Sequence, residues 1–438
     1  MNPRLAPIPM PAAAFRSAVL GATVAALAAL GACRPAAPDP AAVPAASPDS
    51  ARIQSDIAYL ASDQLEGRRA GSVGNDTAAA FIARRYAALG LYAMTPTSYL
   101  QTFVARPAAG HGAPPESLAT QNVVAMLAGT DPSLRNEYVV VGAHFDHLGR
   151  STEGALDPGA GAAIRRGADD NASGTAAVLE LARLFRAAPT RRSLLFINFS
   201  AEEEGLLGSE YFVDHSPIAL DSMVAMVNFD MVGRLRNNRL IVYGVATARE
   251  LPSLLDSANA GRLAINAQGD GFGPSDQSSF YAKNIPVLHF FTDLHEDYHR
   301  ATDDADKINA GGEATVVAVA ERVIRAIADR PARLTFTRAP ARAQMAERVS
   351  TNVYFGSIPD MAAGDVKGLR VTGITPGSPA DRAGLKGGDI VVEFGGVEVT
   401  DLESYSNALY AHKPGDQVRV VVLRDGQRLA LTATLGSR

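Results

Sequence analysis

EYVVVGAHFDH, residues 137–147, sets an unbroken apolar run directly against a cluster of metal-capable side chains. Tyr138-Val139-Val140-Val141 has no polar face, the mark of a strand buried on both sides. It ends in Gly142-Ala143 and then delivers His144, Asp146 and His147. The pattern recurs at RSLLFINFSAEEEG (192–205), where Leu194-Leu195-Phe196-Ile197 leads to Glu202, Glu203 and Glu204. VAMVNFD (224–230) ends on Asp230, and IPVLHFF (285–291) is followed by His295 and His299. GADDNASG (167–174) runs into a helix. Further strands are predicted at 122–127 and 239–243, with helices over 75–89, 172–187, 249–261 and 313–329. This alternation, from about 51 to 330, predicts an α/β domain with a mixed central sheet flanked by helices.

Outward from that domain the texture changes on both sides. Residues 17–32 are apolar and preceded by Arg4 and Arg16, the layout of a signal peptide. The stretch ends in Leu30-Gly31-Ala32-Cys33, which resembles a bacterial lipobox, and the chain has no other cysteine. Acylation of Cys33 would make it a lipid anchor; an ordinary cleavage site or a membrane anchor is the plainer alternative. Disulfides and thiol catalysis are excluded. By resemblance to lipoprotein sorting, Arg34 at the next position favours the periplasmic face of the outer membrane. Residues 34–50 are Pro/Ala-rich and read as a tether. Residues 331–345 read as a connector, and 346–438 as a second domain of short strands and Gly-rich turns with a helix-like segment at 401–411. The net charge of −5 on 438 residues, with no basic run, excludes a nucleic-acid footprint.

In an open α/β sheet, ligands gather at the carboxyl ends of strands. Five strand ends or nearby loops here deliver Asp, Glu or His. Two divalent ions a few ångströms apart can share one carboxylate and one water, while each needs its own histidine and carboxylate. A further carboxylate must take the proton from the bridging water. The chain supplies that inventory.

The segments GAHFDH, GADDNASG, FSAEEEGLLGS, NFDMVGR and YHRATDD, in this order, resemble the di-zinc aminopeptidase family that also includes glutamate carboxypeptidases. LASDQLEGRRAGSVGND (60–76) and GFGPSDQSSF (271–280) match it too. The resemblance implies two Zn²⁺, one held by His144, Asp170 and Asp230 and the other by Asp170, Glu203 and His299, with Asp170 bridging. It implies Glu202 as general base and later proton donor, Asp146 as acceptor of the other His144 ring N–H, and Tyr298 as a donor to the tetrahedral oxyanion. It also implies a cis peptide at Asp170–Asn171.

The remaining polar residues have plainer readings. Asp169 is a loop or helix-start carboxylate, Glu204 is non-catalytic, and His147 supports the ligands or faces solvent. Gln277 stands where many relatives carry His. His111, His215 and His412 read as surface residues and His289 as a satisfied core histidine. His295-Glu296-Asp297-Tyr298-His299 is a literal H-E-x-x-H, with Glu321 available as a third ligand, but no apolar helical stripe surrounds it.

NVYFGSIPD (352–360) and 369–400 resemble a PDZ domain, with Tyr354-Phe355-Gly356-Ser357 as the carboxylate-binding loop for a peptide C-terminus. Ser378 opens a helix, and Lys386-Gly387-Gly388-Asp389 turns into a strand. The alternative is a domain that packs against the first and binds nothing. The function expected is an exported, zinc-dependent aminopeptidase acting on peptides. A carboxypeptidase of the same fold, a single-zinc protease and a non-catalytic receptor are the alternatives.

Overall fold

The computed structural model describes residues 47–94, 98–107, 117–339, 353–359, 367–375, 377–400, 402–424 and 426–437. Cys33, nearly all of the expected tether, His111 and the end of the connector lie outside them. Regular structure begins at α1 (Ser50–Leu60), capped by Asp49, whose side chain accepts from the N–H groups of Ala51 (3.0 Å) and Arg52 (3.2 Å). Ile53, Ile57 and Leu60 repeat at helical spacing and are buried. No helix is predicted here from the sequence, because a short amphipathic segment following a Pro/Ala-rich stretch has no sharp boundary of composition.

There follow α2 (Val73–Ala88), β1 (Tyr92–Ala93), β2 (Leu100–Ala105), β3 (Leu118–Leu127), β4 (Tyr138–His144), α3 (Gly174–Ala187) and β5 (Ser193–Phe199). Next come α4 (Leu207–Asp214), β6 (Met223–Phe229), β7 (Arg239–Tyr243), α5 (Leu251–Asn259), β8 (Ala264–Ala267), α6 (Gln277–Ala282), β9 (Val287–Phe291) and α7 (Ala310–Asp329). The strands form one nine-stranded sheet in the order β1-β3-β5-β4-β6-β9-β7-β8, with β2 also pairing β3. β5, β4, β6 and β9 are neighbours and mutually parallel, whereas β3 and β7 run antiparallel to them, so the sheet is mixed.

The apolar runs are two-faced for a visible reason. Val139, Val141, Leu194 and Phe196 point into one core with α1, α2, α3, α5 and α7. Val140, Leu195, Ile197 and Met226 point into the other, against Phe212 of α4 and Phe280 of α6. Each fully buried side chain of this kind contributes about 1.5–3 kcal/mol, and both faces are used. Gly174 lets α3 close on the sheet, since a Cβ there would meet the Phe229 carbonyl oxygen at 2.3 Å.

The expected connector is in its first half part of the α/β domain. Leu334 is buried in its core, Phe336 bridges Ala248, and the Ala339 N–H donates to the Tyr281 hydroxyl at 2.9 Å. Loss of helix–strand alternation signalled a linker, but irregular chain packs as well when its backbone finds partners.

The C-terminal region is β-rich. It comprises β10 (Val353–Tyr354), β11 (Ser357–Pro359), β12 (Leu369–Ile374), α8 (Pro379–Arg382), β13 (Ile390–Phe394), β14 (Val397–Glu398), α9 (Leu402–Tyr410), β15 (Gln417–Arg424), β16 (Gln427–Thr434) and β17 (Gly436–Ser437). Its sheet runs β11-β12-β13-β15-β16, and β10 pairs β17. Ser378 caps α8 and the turn at 386–389 feeds β13. Among the described residues its core, built on Phe355, Val371, Phe394, Tyr405 and Val420, draws on none from the α/β domain. Among the described residues no helix is long and apolar enough to cross a membrane.

Candidate metal centre

Four adjacent parallel strands end on the same edge of the sheet, and the loops beyond those ends converge. β4 ends on His144, β5 is followed by Glu202 and Glu203, β6 by Asp230, and β9 by the turns carrying Tyr298 and His299. Asp170 enters from the loop before α3. There Gly167 has φ 58°, and a Cβ on it would lie 2.0 Å from the Asp170 carbonyl oxygen. The Asp170–Asn171 peptide is cis.

The Asp170 carboxylate faces both ways. Its Oδ1 lies 3.5 Å from His144 Nε2, and its Oδ2 lies 3.2 Å from His299 Nε2. Asp230 Oδ1 is 3.4 Å from His144 Nε2, and Glu203 Oε2 is 3.2 Å from His299 Nε2. Donor atoms each about 2.0–2.1 Å from a tetrahedral zinc stand roughly 3.3 Å apart, so two sets at this spacing fit two ions sharing one carboxylate. Buried His144 Nε2 and Asp230 Oδ1 have no hydrogen-bond partner, an arrangement costly for the protein alone and natural for ligands.

His147 competes for the second set, since it also lies within ligand reach of Asp170 and Glu203. Its Nδ1 is 2.7 Å from Glu203 Oε1 and 3.8 Å from Asp170 Oδ2, a hydrogen bond to one carboxylate and not an even span of two. His299, at 3.2 Å from both, fits the ion better. His147 is fully buried and orients Glu203, so it does not face solvent.

Outer contacts fix these ligands. His299 Nδ1 lies 2.9 Å from the Gly154 carbonyl oxygen; a proton held there leaves the Nε2 lone pair for a metal. For His144 the expected partner is displaced: Nδ1 lies 3.3 Å from the Asp146 backbone oxygen and 3.7 Å from its carboxylate. That carboxylate instead accepts the Glu202 N–H at 3.2 Å, which ties the two loops together. Asp303 Oδ2 accepts the N–H groups of Asp169 (2.9 Å) and Asp170 (3.0 Å), and its Oδ1 pairs with Arg234 at 3.1 Å. YHRATDD contains Asp303, but nothing local in that stretch shows that it reaches back 133 residues.

The literal H-E-x-x-H comes apart in space. Residues 295–299 form turns and no helix, and Glu296 is exposed. His295 Nε2 pairs with Asp169 Oδ2 at 3.1 Å, so Asp169 is a buried anchor and no ligand. Glu321 lies on α7, where it pairs with Arg325. Glu204 pairs with Arg69 at 3.1 Å. His215 is exposed and stacks on Tyr211, and His412 sits beside Phe394. His289 is a core histidine, yet neither ring nitrogen has a hydrogen-bond partner. Gln277 accepts from Asn228 through Oε1 at 3.1 Å and is buried.

Burial, aided by Glu203, Asp276 and Asp230 and opposed by His144, holds the Glu202 carboxyl well above the usual range. Asp276, buried in the same acidic surroundings, is pushed up to about 7. Burial also raises Glu203, but His299 and His147 outweigh it and hold that carboxyl well below the usual value. Tyr298 stacks on His299 at 3.9 Å; burial and the surrounding carboxylates raise its hydroxyl well above 10, so it stays a donor. The arrangement can hold two cations and accept one proton beside them.

Residues 122–324 match peptidase family M28, and residues 343–435 match the PDZ domain. Leupeptin-inactivating enzyme 1 of Streptomyces exfoliatus is 30% identical over 276 residues, 62% of this chain and 54% of that one. Aminopeptidase YwaD of Bacillus subtilis is 48% identical over 68 residues, 15% of each chain. The matched regions thus span about half or less of these curated relatives. Among solved structures, an aminopeptidase from Aneurinibacillus sp. strain AM-1 superposes with a TM-score of 0.52 at 20% identity, covering 67% of this chain and 97% of that one. A zinc aminopeptidase from Bacillus subtilis gives 0.53 at 17%, covering 67% and 99%. At such identities these two establish the shared fold.

Proposed function

We propose that this chain, which carries a peptidase family M28 domain and a PDZ domain, is an exported zinc-dependent aminopeptidase that removes N-terminal residues from peptides. The observation that carries the reading is the two-faced Asp170, each oxygen set against a different histidine with a further carboxylate beside it. His144, Asp170 and Asp230 would hold one zinc, and Asp170, Glu203 and His299 the other. When bound, the ions would supply Lewis acidity for activating water and polarising the scissile carbonyl. Glu202 takes the proton of the attacking water and returns it to the leaving amine. The Tyr298 hydroxyl donates to the oxyanion of the tetrahedral intermediate. The similarity to an aminopeptidase of Bacillus subtilis supports action at the N-terminal end of the peptide.

Around that centre, Cys33 anchors the protein by lipid to the periplasmic face of the outer membrane, with the following Pro/Ala-rich residues as tether. The loop at 354–357, where Gly356 has φ 92°, captures a peptide or protein C-terminus. The test is hydrolysis of leucyl-p-nitroanilide beside its N-acetylated form and a C-terminal exopeptidase substrate, with metal analysis. Cleavage confined to the free-amine substrate, with about two zinc ions per chain and loss of activity on chelation, is expected. Cleavage of the C-terminal substrate alone, or full activity without metal, refutes it.

A further inference from the structure

LEGRRAGSVGND, residues 65–76, lies upstream of residues 122–324 and contributes none of the metal-facing side chains. Its Arg68 is nevertheless among the largest fully buried side chains in the described structure, 0% exposed, and pairs with no carboxylate side chain. The guanidinium spends its donors on backbone carbonyls. Nε donates to Phe145 O at 2.7 Å, Nη1 to Arg166 O at 2.7 Å and to Leu60 O, and Nη2 to Gly167 O at 2.9 Å. Phe145 lies between His144 and Asp146, and Gly167 opens the loop to Asp170. One rigid fork therefore bridges the two loops that bring a histidine and the shared carboxylate together.

The same segment grips a third loop. Asn75, also 0% exposed, donates to Arg68 O at 3.0 Å and to Ser200 Oγ at 3.0 Å, and Ser200 lies two residues before Glu202. Arg69 pairs with Glu204 at 3.1 Å on the far side of the glutamate pair. Three of the loops that converge on the centre are thus held from one short stretch. The guanidinium stays cationic, its pKa lowered by burial only to about 10 while Asp146, Asp170, Asp303 and Glu203 attract it.

We infer that Arg68 is a positioning residue for the metal centre, setting the distance between the His144 and Asp170 loops through their backbone carbonyls. The inference rests on the two-metal reading above. Lysine keeps the charge but offers its donors from one point and cannot span Phe145 and Gly167, so Arg68→Lys tests geometry apart from charge.

The full chain is compared with Arg68→Lys, Arg68→Met and a control, Arg192→Lys. Arg192 is another buried guanidinium, bound to the carbonyls of Ala328 and Arg330 and also paired through Nε with Glu137 at 2.7 Å, at the opposite end of β5. Three measurements are made: thermal midpoint without metal and with Zn²⁺, zinc release against a graded chelator, and the steady-state kinetics (kcat and KM) on leucyl-p-nitroanilide. Loss of outer contacts to metal ligands typically weakens metal affinity or activity by about 10–100-fold. The expected result is that zinc raises the midpoint of both Arg68 variants less than that of wild type. Zinc should leave them about 10–100-fold more readily, and kcat should fall by a similar factor with KM within about threefold. Arg192→Lys should lower the metal-free and zinc-loaded midpoints equally. If Arg68→Lys behaves like that control, with zinc retention and kcat unchanged, the assignment is overturned. Should Arg68→Met fail to fold, Arg68→Lys carries the comparison alone. A wild-type protein that takes up no Zn²⁺ overturns the two-metal reading itself, a failure visible before any variant is compared.

Discussion

Glu202→Gln separates the base from its surroundings better than any other single change. The substitution keeps the side chain's size and leaves the main chain untouched, so the Glu202 N–H still donates to Asp146 at 3.2 Å. The carboxylate lies 4.0 Å from His144 Nε2 and is buried among Glu203, Asp230 and Asp276. Glutamine matches the shape of a carboxyl whose charged form burial already disfavours, so the fold should not weaken. What is lost is proton transfer, typically worth about 10²–10⁴-fold, or about 2.7–5.4 kcal/mol at 1.36 kcal/mol per decade. Expected is a fall in kcat of that size with both metals retained and the circular dichroism spectrum unchanged. Glu296→Gln is the matched control, because Glu296 is exposed on a turn and His295 is committed to Asp169. It should cost about tenfold at most, through small shifts of the neighbouring His299. Metal content must be measured in each sample, since a lost ion would mimic a lost base. An active Glu202→Gln beside an inactive, metal-replete Glu296→Gln would refute the reasoning.

Three further outcomes are expected. His289 is buried between Tyr243 and Phe291 without a polar partner, and burial pushes its pKa down to about 4 from an ordinary 6.5. Between those values the unfolded chain binds the extra proton, so metal-free protein loses on the order of 3 kcal/mol from this group as pH falls from 6.5 to 4. His289→Leu should remove that part of the acid sensitivity in urea melts, and parallel loss in both proteins would contradict it. Ending the chain after residue 345 should leave leucyl-p-nitroanilide hydrolysis within about threefold, because the two cores share no residue and the stretch to Ala339 is retained. A folded truncation unable to bind zinc would disprove that independence. Cys33→Ser should release the protein from membranes or block its maturation; wild-type protein wholly soluble and unmodified at Cys33 would exclude the anchor.

The sequence by itself determined the architecture's grammar. Runs such as Val139-Val140-Val141 and Leu194-Leu195-Phe196-Ile197 can satisfy their side chains only between two apolar layers, and the residue types beyond their ends suit metal chemistry. Short elements are less legible: α1, α4 and α6 have 11, 8 and 6 residues, and propensity over so few residues is weak evidence. The family resemblance singles out His299 as a ligand and leaves His147 a supporting role, whereas the contacts themselves come only from the tertiary structure: His147 orients Glu203, His295 anchors Asp169, and His299 faces both Asp170 and Glu203. Tertiary structure also moved the Asp146 carboxylate from the His144 ring to the Glu202 backbone, and showed that Arg68 and Asp303 hold loops far from them in sequence. The physical reason is that burial and local pattern are recorded in neighbouring residues. Which donor meets which acceptor depends on how separate loops approach across the end of a sheet, to within a few tenths of an ångström, and no stretch of chain encodes that distance alone.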